Sequence, residues 1–186
     1  MDSVTTKNHC SRAELTCCSD AMTQGVLDTP YFLYVLVAPS DSMWARDTGI
    51  AGVQFGLNYQ GAHDPSGNPS LTIDVFGWTS CATLEFRTPT PSWPNPGSGI
   101  IITWDTTSVC QRKQVAVAGY FYMTAYQPGY FQLVPRPVDQ QAKVVTCDAV
   151  ERYVEMYNPP TAAFSNGATY SGWNPCSGPC PTTGVQ

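Results

Sequence analysis

Eight cysteines in 186 residues constrain this chain more than any other feature. Cys10, Cys17 and Cys18 lie near the start. Cys81, Cys110 and Cys147 lie among strand-like segments, and Cys176 and Cys180 near the end. An even number, crowded into both ends, is the pattern of disulfides that fasten segments with too little apolar surface to hold themselves down. Zinc is the competing reading, but zinc sites favour two Cys-x2-Cys pairs. Here Cys17 and Cys18 are adjacent, and Cys176 and Cys180 are spaced differently. All eight are therefore assigned to disulfides, with no metal and no cofactor. Spacing alone does not give the connectivity. Cys81–Cys110 is the expected pair, since each flanks a strand of one unit. Cys147 is placed within reach of Cys17 or Cys18, and those two neighbours are expected to take different partners.

Charged residues are scarce at 12%, about half the usual share, while ten Tyr, seven Phe and five Trp are present. That balance fits an all-β domain with many turns and excludes a disordered chain. The net charge is −5, and the nearest approach to a basic cluster is Arg112-Lys113. Nucleic acid is therefore excluded as a partner. The longest apolar run, Tyr31 to Ala38, is far shorter than the roughly 20 residues of a spanning helix, so no transmembrane segment is expected. Met1-Asp2-Ser3-Val4 lacks a basic and then apolar leader, which reads as a processed, exported chain.

Residues 1–25 read as a polar arm, with Ser11 and Glu14 forming a capping box for one helical turn or lying in an extended strap. Residues 26–157 carry the strands. Tyr31–Val37 is apolar on both faces, so it is expected to be central. Val53, Phe55, Leu57 and Tyr59 alternate with Gln54, Gly56 and Asn58, which predicts one buried face. Leu71–Phe76, Ala82–Phe86, Ile100–Trp104, Val115–Tyr126, Tyr130–Val134 and Lys143–Cys147 are further strands, and Gly119 marks a bulge or close approach. Asp148–Tyr157 fits a helix or a strand, and the surrounding pattern favours strand. Thr88–Gly97, with four prolines, is expected to be an extended loop. Residues 158–186 read as a tail without periodicity. The sum is an antiparallel β-sandwich with disulfide-pinned N- and C-terminal arms.

Gly49-Ile-Ala-Gly-Val-Gln-Phe-Gly-Leu-Asn-Tyr59 resembles a recurring strand of cohesin-like and other immunoglobulin-like modules of secreted bacterial proteins. Gly77-Trp78-Thr79-Ser80-Cys81, with Ile100-Ile-Ile-Thr-Trp104 and Cys110, is similar to other exported bacterial sandwiches. The resemblance covers about a third of the chain. It implies a sandwich fold and an extracellular setting, and transfers no functional residue. The cysteine-rich arms depart from it.

Signs of catalysis are few. The chain has two histidines, His9 and His63, and no Gly-x-Ser-x-Gly elbow. His63 beside Asp64 reads as chance adjacency. Asp74, Glu85 and Asp105 pair as any set of acids would. Asp64-Pro-Ser66-Gly-Asn68-Pro-Ser70 loosely resembles a calcium loop but reads better as a turn. Trp93, in the proline-rich loop, is the candidate for stacking on a glycan, whereas Trp78 and Trp104 read as core beside a disulfide. Thr88, Thr90, Ser92, Thr182 and Thr183 lie in Pro/Thr stretches that are candidate O-glycosylation sites or plain stiff linkers. The expectation is a non-enzymatic, extracellular or cell-surface structural protein. Its arms would reach neighbouring copies and build a filament or appendage. The alternative is a carbohydrate-binding module, with glycans as partners.

Overall fold

The computed structural model describes residues 2–3, 10, 17–38, 48–106, 109–113, 115–167 and 170–176. Their regular elements are thirteen strands and one 3-10 turn at Cys18–Asp20. In chain order the strands are β1 (Asp2–Ser3), β2 (Gln24–Gly25), β3 (Pro30–Val37), β4 (Ile50–Tyr59), β5 (Gly61–His63), β6 (Ile73–Ser80) and β7 (Leu84–Arg87). They continue as β8 (Gly99–Thr103), β9 (Ala116–Ala125), β10 (Gly129–Val134), β11 (Lys143–Thr146), β12 (Glu151–Tyr153) and β13 (Thr161–Phe164).

Two sheets face each other. One runs β1-β3-β9-β6-β5, and the other β12-β11-β4-β10-β13-β2, with β8 and then β7 added on the far side of β4. The all-β sandwich is as expected. The pairing is mostly antiparallel, but β5–β6 and β13–β2 are parallel. Both parallel pairs use strands of two to four residues that the sequence does not announce.

β4 is the axis of its sheet. It pairs with β8 along one side, and along the other with β11 at its first half and β10 at its second. Val53, Phe55, Leu57 and Tyr59 point into the core as the alternation requires. The opposite face is not open: Gln54 is buried there and donates to both carboxylate oxygens of Asp139. β3 is a correction in the other direction. It lies near the sheet edge, covered by a two-residue β1, and alternates buried with half-buried residues instead of being buried throughout.

β9 fills the centre of the first sheet. Its inward residues are Ala116 and Ala118, then Phe121, Met123 and Ala125. The change of parity falls at Gly119, where the register with β3 slips by one residue. Such a slip is a β-bulge, and it returns the large side chains to the core. The Trp78 indole lies directly over Gly119, so any Cβ there would overlap the ring.

Three corrections concern loops and ends. Thr88–Gly97 is a series of tight turns with cis peptide bonds at Thr90–Pro91 and Trp93–Pro94, not an extended loop. Strand structure in 148–157 is confined to β12, whose residues are all exposed. β13, inside the segment read as a tail, is buried throughout and belongs to the sheet. Its outer edge is sealed by both ends of the chain: β2 pairs with Ala163 and Phe164, and Trp173 pairs with Thr161. The capping box at Ser11 and Glu14 lies outside the described residues.

Candidate functional site

The disulfides define how the ends are held. Cys10 bonds Cys81, Cys18 bonds Cys176, and Cys110 bonds Cys147, with Cα–Cα separations of 5.4, 5.9 and 6.1 Å. Cys17 is disulfide-bonded as well, and no described cysteine is free. Cys180 lies outside the described residues. The expected Cys81–Cys110 bridge is therefore wrong, and so is a bridge from Cys147 to Cys17 or Cys18. Flanking a common sheet does not bring two cysteines together. Gly49, at φ +71°, carries its chain past Cys110 and Cys147 where no side chain would fit. Cys17 and Cys18 do take different partners. Bridges of this number place folding in an oxidising compartment.

The Cys18–Cys176 bridge joins the two arms across the mouth of a cavity between the sheets. Its volume is about 620 Å3. Leu33, Val35 and Val37 of β3 form one wall; Phe55, Leu133 and Val144 form the other. Met22 and Trp173 sit on the rim. Water can enter from the open side, but an ordered water needs about two to four polar partners. The described walls are mostly apolar, with Gln54, Thr161 and Asn174 among their few polar residues.

The edges of the β4 sheet are the second feature. β7 ends it on one side; on the other it ends at β12 beside β11 and at the two-residue β2 beside β13, and no further described strand pairs with β7 or β12. Leu84 and Phe86 project from β7 at 58% and 57% exposure. Tyr153 on β12 is 65% exposed, and Tyr157 just beyond it is 89% exposed. The alternation in Ala82–Phe86 announces a strand but not that its apolar residues face solvent. Charge moderates both edges: Glu85 pairs with Arg87, and Glu151 with Lys143, which lies over the Tyr153 ring.

Trp93 is not a surface platform. It is 5% exposed, with its ring against Phe55, Trp78 and Phe121 at centroid distances of 5.8, 5.3 and 5.7 Å. The turns fold it inward. Trp104 is core as expected and donates its N–H to the Cys81 carbonyl. Of the candidate glycosylation residues, Thr88 is buried, its hydroxyl accepting from the Gly99 N–H. Thr90 and Ser92 are exposed, and Thr182 and Thr183 lie outside the described residues. A different aromatic is open to solvent. Tyr130 on the outer face of β10 packs against Tyr170 at 5.0 Å. Asn58, Gln60 and Gln132 surround it. Asn58 donates to Gln132, which donates to the Thr161 hydroxyl.

The polar turn shows no catalytic set. Asp64 accepts from the amide and hydroxyl of Ser66, and Asn68 does the same for Ser70, two Asx turns in succession. His63 Nδ1 lies 2.6 Å from the Val75 carbonyl. Among the described residues no group of His, Cys, Asp and Glu could hold a metal. Asp74 is fully buried on β6; its carboxylate oxygens make no hydrogen bond of normal geometry, though the backbone N–H groups of Asp64 and Asn68 approach them. Burial, and then the charge of Asp64, push its pKa up. Burial likewise raises the Tyr59 phenol, which donates to the Pro94 carbonyl. Asp74 and Glu85 stand on different sheets.

The fold and its fastenings define a disulfide-stapled β-sandwich module whose two arms close on their own domain. Comparison with solved structures finds the cohesin module of a family 33 glycoside hydrolase from Clostridium perfringens, with TM-score 0.48 and 11% identity. The match covers 77% of this chain and 91% of that one. No family model matches the chain, and no curated protein does. Among the described residues no helix is long and apolar enough to cross a membrane.

Proposed function

We propose that this protein is a non-enzymatic, extracellular structural module that assembles with copies of itself through the β7 and β12 edges of the β4 sheet. The observation that carries this reading is the exposed apolar pair on β7 opposite the exposed tyrosines at β12. Unpaired edges invite strand addition from another chain. Two different edges on one sheet make a head-to-tail contact, and such contacts generate open filaments when the rotation does not close. The arms play another part than the sequence suggested. They cap β13 within their own chain, so the β7 and β12 edges remain for a neighbour.

Sedimentation velocity over a wide concentration range, with negative-stain microscopy of the largest species, tests this. Wild type should form linear oligomers, and Phe86→Lys and Tyr153→Lys should each leave monomer. A wild type that stays monomeric at every concentration rejects the proposal, as does assembly that ignores both variants.

The second reading, carbohydrate binding, is favoured by one observation: Tyr130 with its ring of amides. An exposed aromatic face beside ordered, uncharged hydrogen-bonding groups suits a neutral sugar. Affinity electrophoresis in neutral polysaccharide gels should show retardation that Tyr130→Ala abolishes and Trp93→Phe keeps. Equal mobility in all gels removes this reading.

A further inference from the structure

We propose that the cavity between the sheets is a binding site for a slender apolar molecule with an uncharged or cationic polar end. The cavity's volume of about 620 Å3 lies within the range of small-molecule sites, roughly 300–1,000 Å3. Its walls are the inward aliphatic and aromatic residues of β3, β4, β10 and β11, so the interior of the ligand must be hydrocarbon. The mouth decides what the other end carries. Among the described residues that line the cavity there is no lysine, arginine or histidine, and Asp20 is the one carboxylate. Asp20 is exposed in the 3-10 turn beside Cys18, at the rim. Thr23, Gln54, Thr161 and Asn174 are the other polar residues of the described lining, the Thr161 hydroxyl being already engaged by Gln132 and the Pro159 carbonyl. Among the described residues a carboxylate or phosphate head would meet an acid and no counter-charge; an alcohol would find hydrogen-bond partners, and an ammonium would find Asp20. The Cys18–Cys176 bridge holds the rim, so the opening keeps its shape whether the site is filled or not.

This inference does not depend on assembly through the sheet edges. The test uses the full oxidised chain and the neutral probe N-phenyl-1-naphthylamine, followed by fluorescence. The expected result is saturable, blue-shifted emission at one probe per chain. 1-Dodecanol and dodecyltrimethylammonium should displace it at lower concentration than laurate at pH 8. An exposed charge is worth about 0.2–1 kcal/mol, so the ammonium should outcompete laurate by about 1.4- to 5-fold. Asp20→Asn should narrow that gap and leave 1-dodecanol unchanged. Ala21→Trp at the rim and Val35→Trp on the wall should each weaken probe binding at least tenfold in chains whose circular dichroism matches wild type. Phe86→Lys, on the distant β7 edge, should bind the probe as wild type does. The competition series needs no variant, so it stands even if Val35→Trp does not fold. Non-saturable emission overturns the proposal. So does laurate competing as well as the other two, or binding lost in Phe86→Lys, which would locate the probe at an assembly edge.

Discussion

Trp93→Ala is expected to be among the most destabilising single changes in this protein. The indole is 5% exposed and touches three other rings, Phe55 on β4 of one sheet and Trp78 and Phe121 on β6 and β9 of the other. Removing a buried Trp side chain costs about 3–5 kcal/mol, through lost transfer energy and the hole left behind. For a domain of this length each kcal/mol lowers Tm by about 2–4 °C, so Tm should fall by about 6–20 °C. The second half of the prediction concerns Trp93→Phe. The Trp93 Nε1–H is buried without a hydrogen-bond partner. Phe removes that donor, whose burial costs about 1–3 kcal/mol, and keeps most of the ring contact. The loss should therefore stay below about 2 kcal/mol. Urea unfolding followed by near-UV circular dichroism measures both. A Trp93→Ala protein within about 1 kcal/mol of wild type would refute the packing argument and return Trp93 to the surface. Equal losses for Ala and Phe would refute the unpartnered N–H.

Three further predictions follow from the packing and the charges. Asp74 is buried with its pKa raised, so its protonated form favours the fold. That contribution is complete below the ordinary carboxylate pKa of about 3.9 and is lost as pH rises through the folded value. Asp74→Asn should therefore stabilise by about 1 kcal/mol or more at pH 7 and by much less near pH 3, as read from Tm against pH. Replacing Cys110 and Cys147 by Ala opens a loop of separation 37, and the loss should be about 3–4 kcal/mol in denaturant titration. Gly119→Ala forces a Cβ into the Trp78 ring and the Thr79 carbonyl. Overpacking of this kind costs about 1–3 kcal/mol, and a neutral Gly119→Ala would show that Trp78 is free to move.

The long strands were legible because β4 and β9 carry apolar residues at a clear period, although both faces of β4 are largely covered. Gly119 could be read as a bulge because it interrupts an otherwise continuous apolar run. Short elements were not legible. β5 and β13 are too brief to show alternation, and β13 is strand only because both arms and β10 surround it. Trp93 was misplaced for a related reason: prolines mark a turn but do not say which way the turn folds. The bridges failed on the same ground, since a disulfide needs Cα atoms within about 7 Å and sequence order carries no such distance. The inter-sheet cavity and the apolar sheet edges had no sequence signal. Both depend on which elements fail to cover a surface, and that is a property of the finished sandwich.

In the proposed assembly the arms close on their own domain and leave the β7 and β12 edges for a neighbour. Peptide mapping of the unreduced protein, on monomer and oligomer separately, tests this most directly. It should recover Cys10–Cys81, Cys18–Cys176 and Cys110–Cys147 in both fractions, and non-reducing electrophoresis should give a single-chain band. Oligomers that stay covalently linked until reduced, through Cys18 or Cys176 joined to another copy, would contradict it.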